Sequence, residues 1–316
     1  MSNVEQLHLV SVSTAEMTNL DITGTSLTQI EYDTSKTDAD SASTLKVSAG
    51  QTVILDSIAD GDGTNDTNGK GELEINSAAS VEAISIVVDG VGSADDLDIE
   101  VLGSGVGTIN VTASGDDSTA TLAVNSTSAL TTLNLSGSAK LDLDNATIDF
   151  KTSAGGLIDA SQMTGDLLID VSDAENKTIT GSSGKNTIKA GAGDDEITTG
   201  DALDIVTTGG GVDVVNTAGG NDTIIVAGNL TKDDTIDGGA GQDKLVTAET
   251  TIDATDKAAA AGVTNVEIFA SNSTAAVAAD FEKLDKFDIV ELSGAKTTGT
   301  ATSNKAGATA ADITGV

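Results

Sequence analysis

Between Gly181 and Val246 the chain repeats a nine-residue register, and no other feature restricts its fold so tightly. Five units run without a break: GSSGKNTIK (181–189), AGAGDDEIT (190–198), TGDALDIVT (199–207), TGGGVDVVN (208–216) and TAGGNDTII (217–225). Val226 to Gly228 interrupt, and NLTKDDTID (229–237) and GGAGQDKLV (238–246) follow in phase. The sixth position reads Asn186, Asp195, Asp204, Asp213, Asp222, Asp234, Asp243. The eighth reads Ile188, Ile197, Val206, Val215, Ile224, Ile236, Leu245. A fixed short period of this kind specifies stacked, self-similar turns of chain.

One unit contains a turn and a strand. Its glycines, among them Gly191, Gly193, Gly209, Gly211, Gly219, Gly220, Gly239 and Gly241, permit a tight bend that leaves carbonyl oxygens facing one space. The sixth-position aspartate adds a carboxylate to that space. Carboxylate and carbonyl oxygens together are the ligand set that Ca²⁺ takes, six to eight hard donors at ~2.3–2.6 Å. The last three residues form a short strand with the aliphatic inward. Two units make one full turn, so loops stack in two columns. One column holds Asn186, Asp204 and Asp222, the other Asp195 and Asp213. If winding continues through the interruption, Asp234 joins Asp213 and Asp243 joins Asp222. Each ion is expected between two stacked loops, taking a carboxylate from each.

This pattern resembles the RTX family, bacterial repeats-in-toxin proteins with calcium-bound parallel β-rolls. The resemblance implies Ca²⁺ as cofactor and Asp195, Asp204, Asp213, Asp222, Asp234 and Asp243 with the glycines above as its site. Three units depart from the pattern. Asn186 replaces the acid in the first, Ala202 stands at the fourth position of the third, and the sixth has no glycine before its acid. A weak first site and a strained third loop are expected, with about two to four good sites in all.

The remaining chain is strand-rich. Runs such as TVILDSI (52–58), GTINVTA (107–113) and DLLIDVS (166–172) alternate apolar and polar residues with period two. Strand centres recur roughly every 10–12 residues, which suits a sandwich or a β-solenoid with uneven rungs. The fold class is therefore all-β: a parallel β-solenoid or β-roll flanked by further strand modules. Three regions follow: a strand-rich module at 1–180, the calcium roll at 181–246, and a C-terminal module at 247–316 with short helices at 255–262 and 275–287 and a fraying tail. "NVEQLHLVSVST" (3–14) and "NVEIFASNST" (265–274) echo each other as strand modules on either side of the repeats.

Composition removes most other functions. Fifty acidic and 15 basic residues, all of the latter lysine, give a net charge of −35. Such a chain repels phosphate backbones and anionic lipid heads, so neither nucleic acid nor a basic membrane anchor fits, and cations are its natural partners. Cys and Pro are both 0, so thiolate chemistry is excluded. No run of 18 apolar residues offers a membrane span. The N-terminal "MSNVEQLHLV" lacks a signal peptide's basic and apolar regions, and the chain reads as an excised part of something longer. Aromatics are 2%, so the core is expected to consist of thin layers of Val, Ile, Leu, Ala and Thr.

Other candidates are weaker. Asp60, Asp62 and Asp66 in "DGDGTNDTNGKGELE" (60–74) fail the EF-hand spacing and read as a solvated connection. His8 is the single histidine and lies on the polar phase of its strand. One His without Cys excludes ordinary zinc sites, and no catalytic motif is present, so the reading is of a non-enzyme.

The segments "LTTLNLSGSAKLDL" (130–143), "GGLIDASQMTGDLLIDV" (155–171) and "GVTNVEIFA" (262–270) look like the C-terminal part of Gram-negative S-layer proteins, where Thr/Ser/Ala-rich strands run into calcium repeats. That likeness implies a secreted structural protein of the cell surface, exported by a type I apparatus. Its partners are copies of itself and surface polysaccharide, and it folds and assembles outside the cell on Ca²⁺. Two alternatives stand beside it: an adhesin or extender segment of a large RTX protein, and the non-catalytic tail of a secreted hydrolase.

Overall fold

A computed structural model of the chain describes residues 5–10, 20–33, 36–37, 43–57, 59–60, 73–77, 82–91, 97–124, 129–143, 147–148, 150–151, 155–172, 174–226, 230–248, 251–252, 260–272, 278–279, 287–292 and 313–314. Nearly all regular structure is β, and the pairing between strands is parallel. The chain divides into two compact units, Met1–Val171 and Ser172–Val316.

The first unit is a β-solenoid, which resolves the choice between sandwich and solenoid. One sheet stacks Gln6–Val10, Gln29–Asp33, Thr52–Asp56, Ala83–Asp89, Thr108–Ala113, Thr132–Gly137 and Gly156–Met163 in that order. The other stacks Leu20–Asp21, Ser43–Val47, Leu73–Ser77, Leu97–Leu102, Ser118–Val124, Leu141–Leu143 and Leu167–Asp170. Consecutive strands alternate between the sheets, so one coil carries two strands and the period-two pattern aims alternate residues inward. Register turns that pattern into columns. Ile30 lies beside Val53, Val53 beside Ile86, Ile86 beside Val111 and Val111 beside Leu135, all buried. Polar columns form on the outer face, where Asn134 Nδ2 donates to Asn110 Oδ1 at 2.8 Å.

The acidic stretch 60–74 falls largely outside the described residues; Asp60 lies in strand Ala59–Asp60, and Asp62 and Asp66 are not described. His8 is exposed, with Nε2 3.1 Å from Asp33 Oδ2 on the next coil.

The second unit winds more tightly. One sheet runs Lys177–Thr180, Glu196–Thr198, Val214–Asn216, Thr235–Asp237 and Val263–Thr264. Its companion runs Asn186–Lys189, Ile205–Thr207, Thr223–Val226, Lys244–Thr247, Ile268–Ser271, Ile289–Leu292 and Ile313–Thr314. Pairs such as Ile188 with Val206 and Ile197 with Val215 lie two nonapeptides apart, so two repeats make one turn. The interruption does not break the stack, because Val215 pairs with Ile236 and Ile224 with Leu245. All seven eighth-position aliphatics are at most 1% exposed. Phe269 and Phe287 extend that core, their ring centroids 5.3 Å apart.

The two short helices expected near the C-terminus are not found in the described part of those segments. Ala260–Gly262 is a single 3₁₀ turn, and Ala278–Ala279 is a strand paired with Thr251–Ile252. An Ala-rich run has helix propensity, but a parallel edge two residues long offers it backbone partners instead. The rest of 275–287 apart from Phe287, and the tail from 295 except Ile313–Thr314, lie outside the described residues. Among the described residues no helix is long and apolar enough to cross a membrane.

Candidate metal centre

Stacking brings the sixth-position residues into two interior columns. Asp195, Asp213 and Asp234 form one, and Asn186, Asp204, Asp222 and Asp243 the other, all at most 4% exposed. Side-chain burial of charge on this scale requires compensation. Part of it comes from the main chain of the preceding coil. Asp213 Oδ1 accepts the Asp195 N–H at 3.1 Å, and Asp234 Oδ1 accepts the Asp213 N–H at 2.9 Å. In the other column Asp204 Oδ1 accepts from Asn186 at 2.6 Å, Asp222 Oδ1 from Asp204 and Asp243 Oδ1 from Asp222, both at 2.8 Å. Each carboxylate thus spends one oxygen on fixing its position.

The second oxygen is the informative one. Asp222 Oδ2 and Asp243 Oδ2 are fully buried and have no hydrogen-bond partner. Burial pushes the Asp222 carboxyl up to about 6, and it raises Asp213 and Asp243 as well, with neighbouring acids adding to the effect. Successive strands stand about 4.8 Å apart, so two stacked carboxylates repel by about 3 kcal/mol at an effective dielectric of 20. Among the described residues no three acids converge on one point. An ion held here therefore completes its shell with main-chain carbonyls, which is hard-oxygen ligation of the kind Ca²⁺ prefers.

Two loops show what that space wants. In the first repeat Asn186 Nδ2 donates to Ser182 O, Gly184 O and Asp204 Oδ1, each at 3.0 Å. The acceptors are the second- and fourth-position carbonyls of its own loop and the carboxylate of the next. An amide nitrogen thus stands among oxygens that, in the aspartate loops, have no such donor. One coil earlier in the other column lies Lys177, only 2% exposed, whose Nζ donates to Glu175 O at 2.8 Å. Its N–H donates to Asp195 Oδ1, also at 2.8 Å. Lys177 and Glu175 occupy the sixth and fourth positions of an unrecognised unit, SDAENKTIT (172–180). Both columns therefore begin on a nitrogen donor supplied by the chain. Sequence reasoning missed Lys177 because the register was started at Gly181, although Ile179 already stood at the eighth position.

The glycine loops depart from expectation in one respect. Ala202 is not among the residues with positive φ, so the third loop is not strained there. Left-handed backbone falls instead on Ala218 (φ 55), at the second position of the fifth unit. Glycine is needed where loops touch. Gly241 has φ 148, and a Cβ there would strike Gly220 O of the loop before it. Gly209 is held the same way against Gly191 O, whose carbonyl also accepts from Gly210 N at 3.0 Å. Gly193, Gly211, Gly219, Gly220 and Gly239 line the same two stacks. In the glycine-free sixth unit Asp234 Oδ2 accepts the Thr231 N–H at 2.6 Å, so both its oxygens serve the main chain. Asp234 has less ligand capacity left than Asp222 or Asp243.

Comparison with known families agrees with this chemistry. The model of the RTX calcium-binding nonapeptide repeat (4 copies) matches residues 178–206, 197–224 and 230–249. No curated protein and no solved structure matches the chain. Residues 178–249 carry RTX repeats, whose cofactor is calcium, and the second unit is a calcium-binding β-roll built on them.

Proposed function

We propose that the chain is a calcium-dependent structural protein of a bacterial surface layer, which folds and assembles outside the cell. The observation that carries it is the pair of buried acid columns. Each repeat buries one aliphatic side chain, worth about 1.5–3 kcal/mol. Ordering nine residues costs about 1–2 kcal/mol each. Stacked carboxylates deepen that deficit until a divalent ion reverses the sign of the field. Binding free energy then becomes folding free energy. Affinity in the extracellular range of ~10⁻⁴–10⁻³ M keeps the roll unfolded where calcium is scarce and folded where it is abundant. RTX repeats are typical of proteins secreted by type I machinery, and an unfolded roll suits passage through a narrow conduit.

Assembly rests on the charge. A surface carrying −35 repels its copies until cations neutralise or bridge it. The Thr/Ser/Ala-rich strands leading into the roll support the surface-layer reading, in which copies of the chain and surface polysaccharide are the partners and no reaction is catalysed. Light scattering and electron microscopy across a calcium titration test it. Ordered sheets at millimolar calcium are expected. A chain that folds with calcium yet stays monomeric refutes the lattice role and favours an extender segment or a hydrolase tail.

A further inference from the structure

The second acid column does not end with the last repeat. Leu245 pairs with Phe269, which puts Glu267 at the sixth position of a further turn. Glu267 behaves as a sixth-position acid: its Oε2 accepts the Asp243 N–H at 2.9 Å, as Asp243 Oδ1 does for Asp222. Asn265 stands at the fourth position with φ 51, and its carbonyl closes on Gly238 where a Cβ would sit. The "NVE" at 265–267, which reads in sequence only as the start of a strand module, is thus folded as a degenerate repeat loop.

We infer that Asp243 and Glu267 share an additional Ca²⁺ site between the 238–243 loop and the Asn265–Glu267 turn, beyond the residues matched by the repeat family. The inference rests on the calcium-roll reading of the repeats before it. Its independent support is Asp243 itself, 0% exposed, with Oδ2 buried and unpartnered inside the loop that faces Glu267. The chain's own donors nearby are committed elsewhere. Asn265 Nδ2 donates to Asp237 Oδ1 at 2.7 Å, and Lys244 Nζ to Glu291 Oε2 at 2.8 Å. In the first loop Asn186 Nδ2 serves the second- and fourth-position carbonyls. In this loop the corresponding carbonyls belong to Gly239 and Gly241, and a carboxylate replaces the amide. An oxygen-only set with two carboxylates calls for a hard divalent cation.

The test counts ions on the full chain by equilibrium dialysis with calcium. Glu267→Gln keeps an oxygen for the Asp243 N–H and removes the charge. It is expected to bind one ion fewer than the parent, while Glu196→Gln on the exposed face binds the parental number. An unchanged count in Glu267→Gln overturns this site and leaves the roll intact. A parent that binds no calcium overturns both. Crystals of the parent grown with calcium give a second measurement that does not depend on a variant folding. Density touching both Asp243 and Glu267 supports the site, and ions at the repeat loops without one here overturn it.

Discussion

Asp222→Asn separates a carboxylate that binds an ion from one that only holds the main chain. The side chain is 1% exposed, its Oδ1 accepts the Asp204 N–H, and its Oδ2 has no partner. Its carboxyl is raised from 3.8 to about 6, so keeping it ionised at neutral pH costs the ion-free fold about 3 kcal/mol. Asparagine keeps the Oδ1 acceptor. Its Nδ2 falls where Asn186 Nδ2 sits in the first loop, within reach of Ala218 and Gly220, the second- and fourth-position residues of its own loop. In chelator the variant is therefore expected to be more stable than the parent by about 3 kcal/mol. Calcium closes the gap. An ion held at ten to a hundred times its dissociation constant contributes about 1.4–2.7 kcal/mol, which the variant forgoes for each ion it cannot bind. Urea melts followed by far-ultraviolet circular dichroism, with EGTA and with calcium at about 10 mM, measure both differences. A variant weakened equally in the two conditions would mean that Asp222 is a main-chain acceptor alone, and the ion-ligand argument fails.

Asn186→Asp is the converse. It removes a donor serving three acceptors at about 0.5–1.5 kcal/mol each, so the chelated chain weakens, and equilibrium dialysis should find one more ion than in the parent. Lys177→Met leaves Glu175 O without its ammonium donor; calorimetry is expected to show a loss of about 1–3 kcal/mol with the calcium count unchanged. The metal-free roll should gain stability on acidification. The folded Asp222 pKa of about 6 exceeds the unfolded 3.8, so its penalty is absent below about pH 4, grows between, and is complete above about 6. Circular dichroism in calcium-free buffer checks the sign, which inverts at saturating calcium because ligation needs the carboxylate. Gly241→Ala drives a Cβ into Gly220 O, and the calcium needed for half-folding should rise several-fold in a spectroscopic titration.

The repeat phase made the fold of 181–246 legible, because glycine, acid and aliphatic positions each have one geometric use in a two-repeat coil. Ile188 to Leu245 mark the interior, and the 18-residue offset gives the columns. Alternation in the preceding strands likewise named the buried faces, as at Ile30 and Tyr32. It left sandwich and solenoid equal, since period two records which face is buried and not which strand lies alongside. Tertiary pairing decided that, and it also decided where the columns begin and end. Lys177 and Glu267 match no motif position by residue type; they join the columns only because backbone register places them one coil before Asp195 and one coil after Asp243. The same holds for strength of ligation. Asp234 and Asp243 are identical in sequence pattern, yet Thr231 occupies the second oxygen of one and nothing in the chain occupies that of the other. Residue identity fixes what a side chain can donate or accept. Only stacking fixes which partners reach it, and so which oxygens are left for a cation.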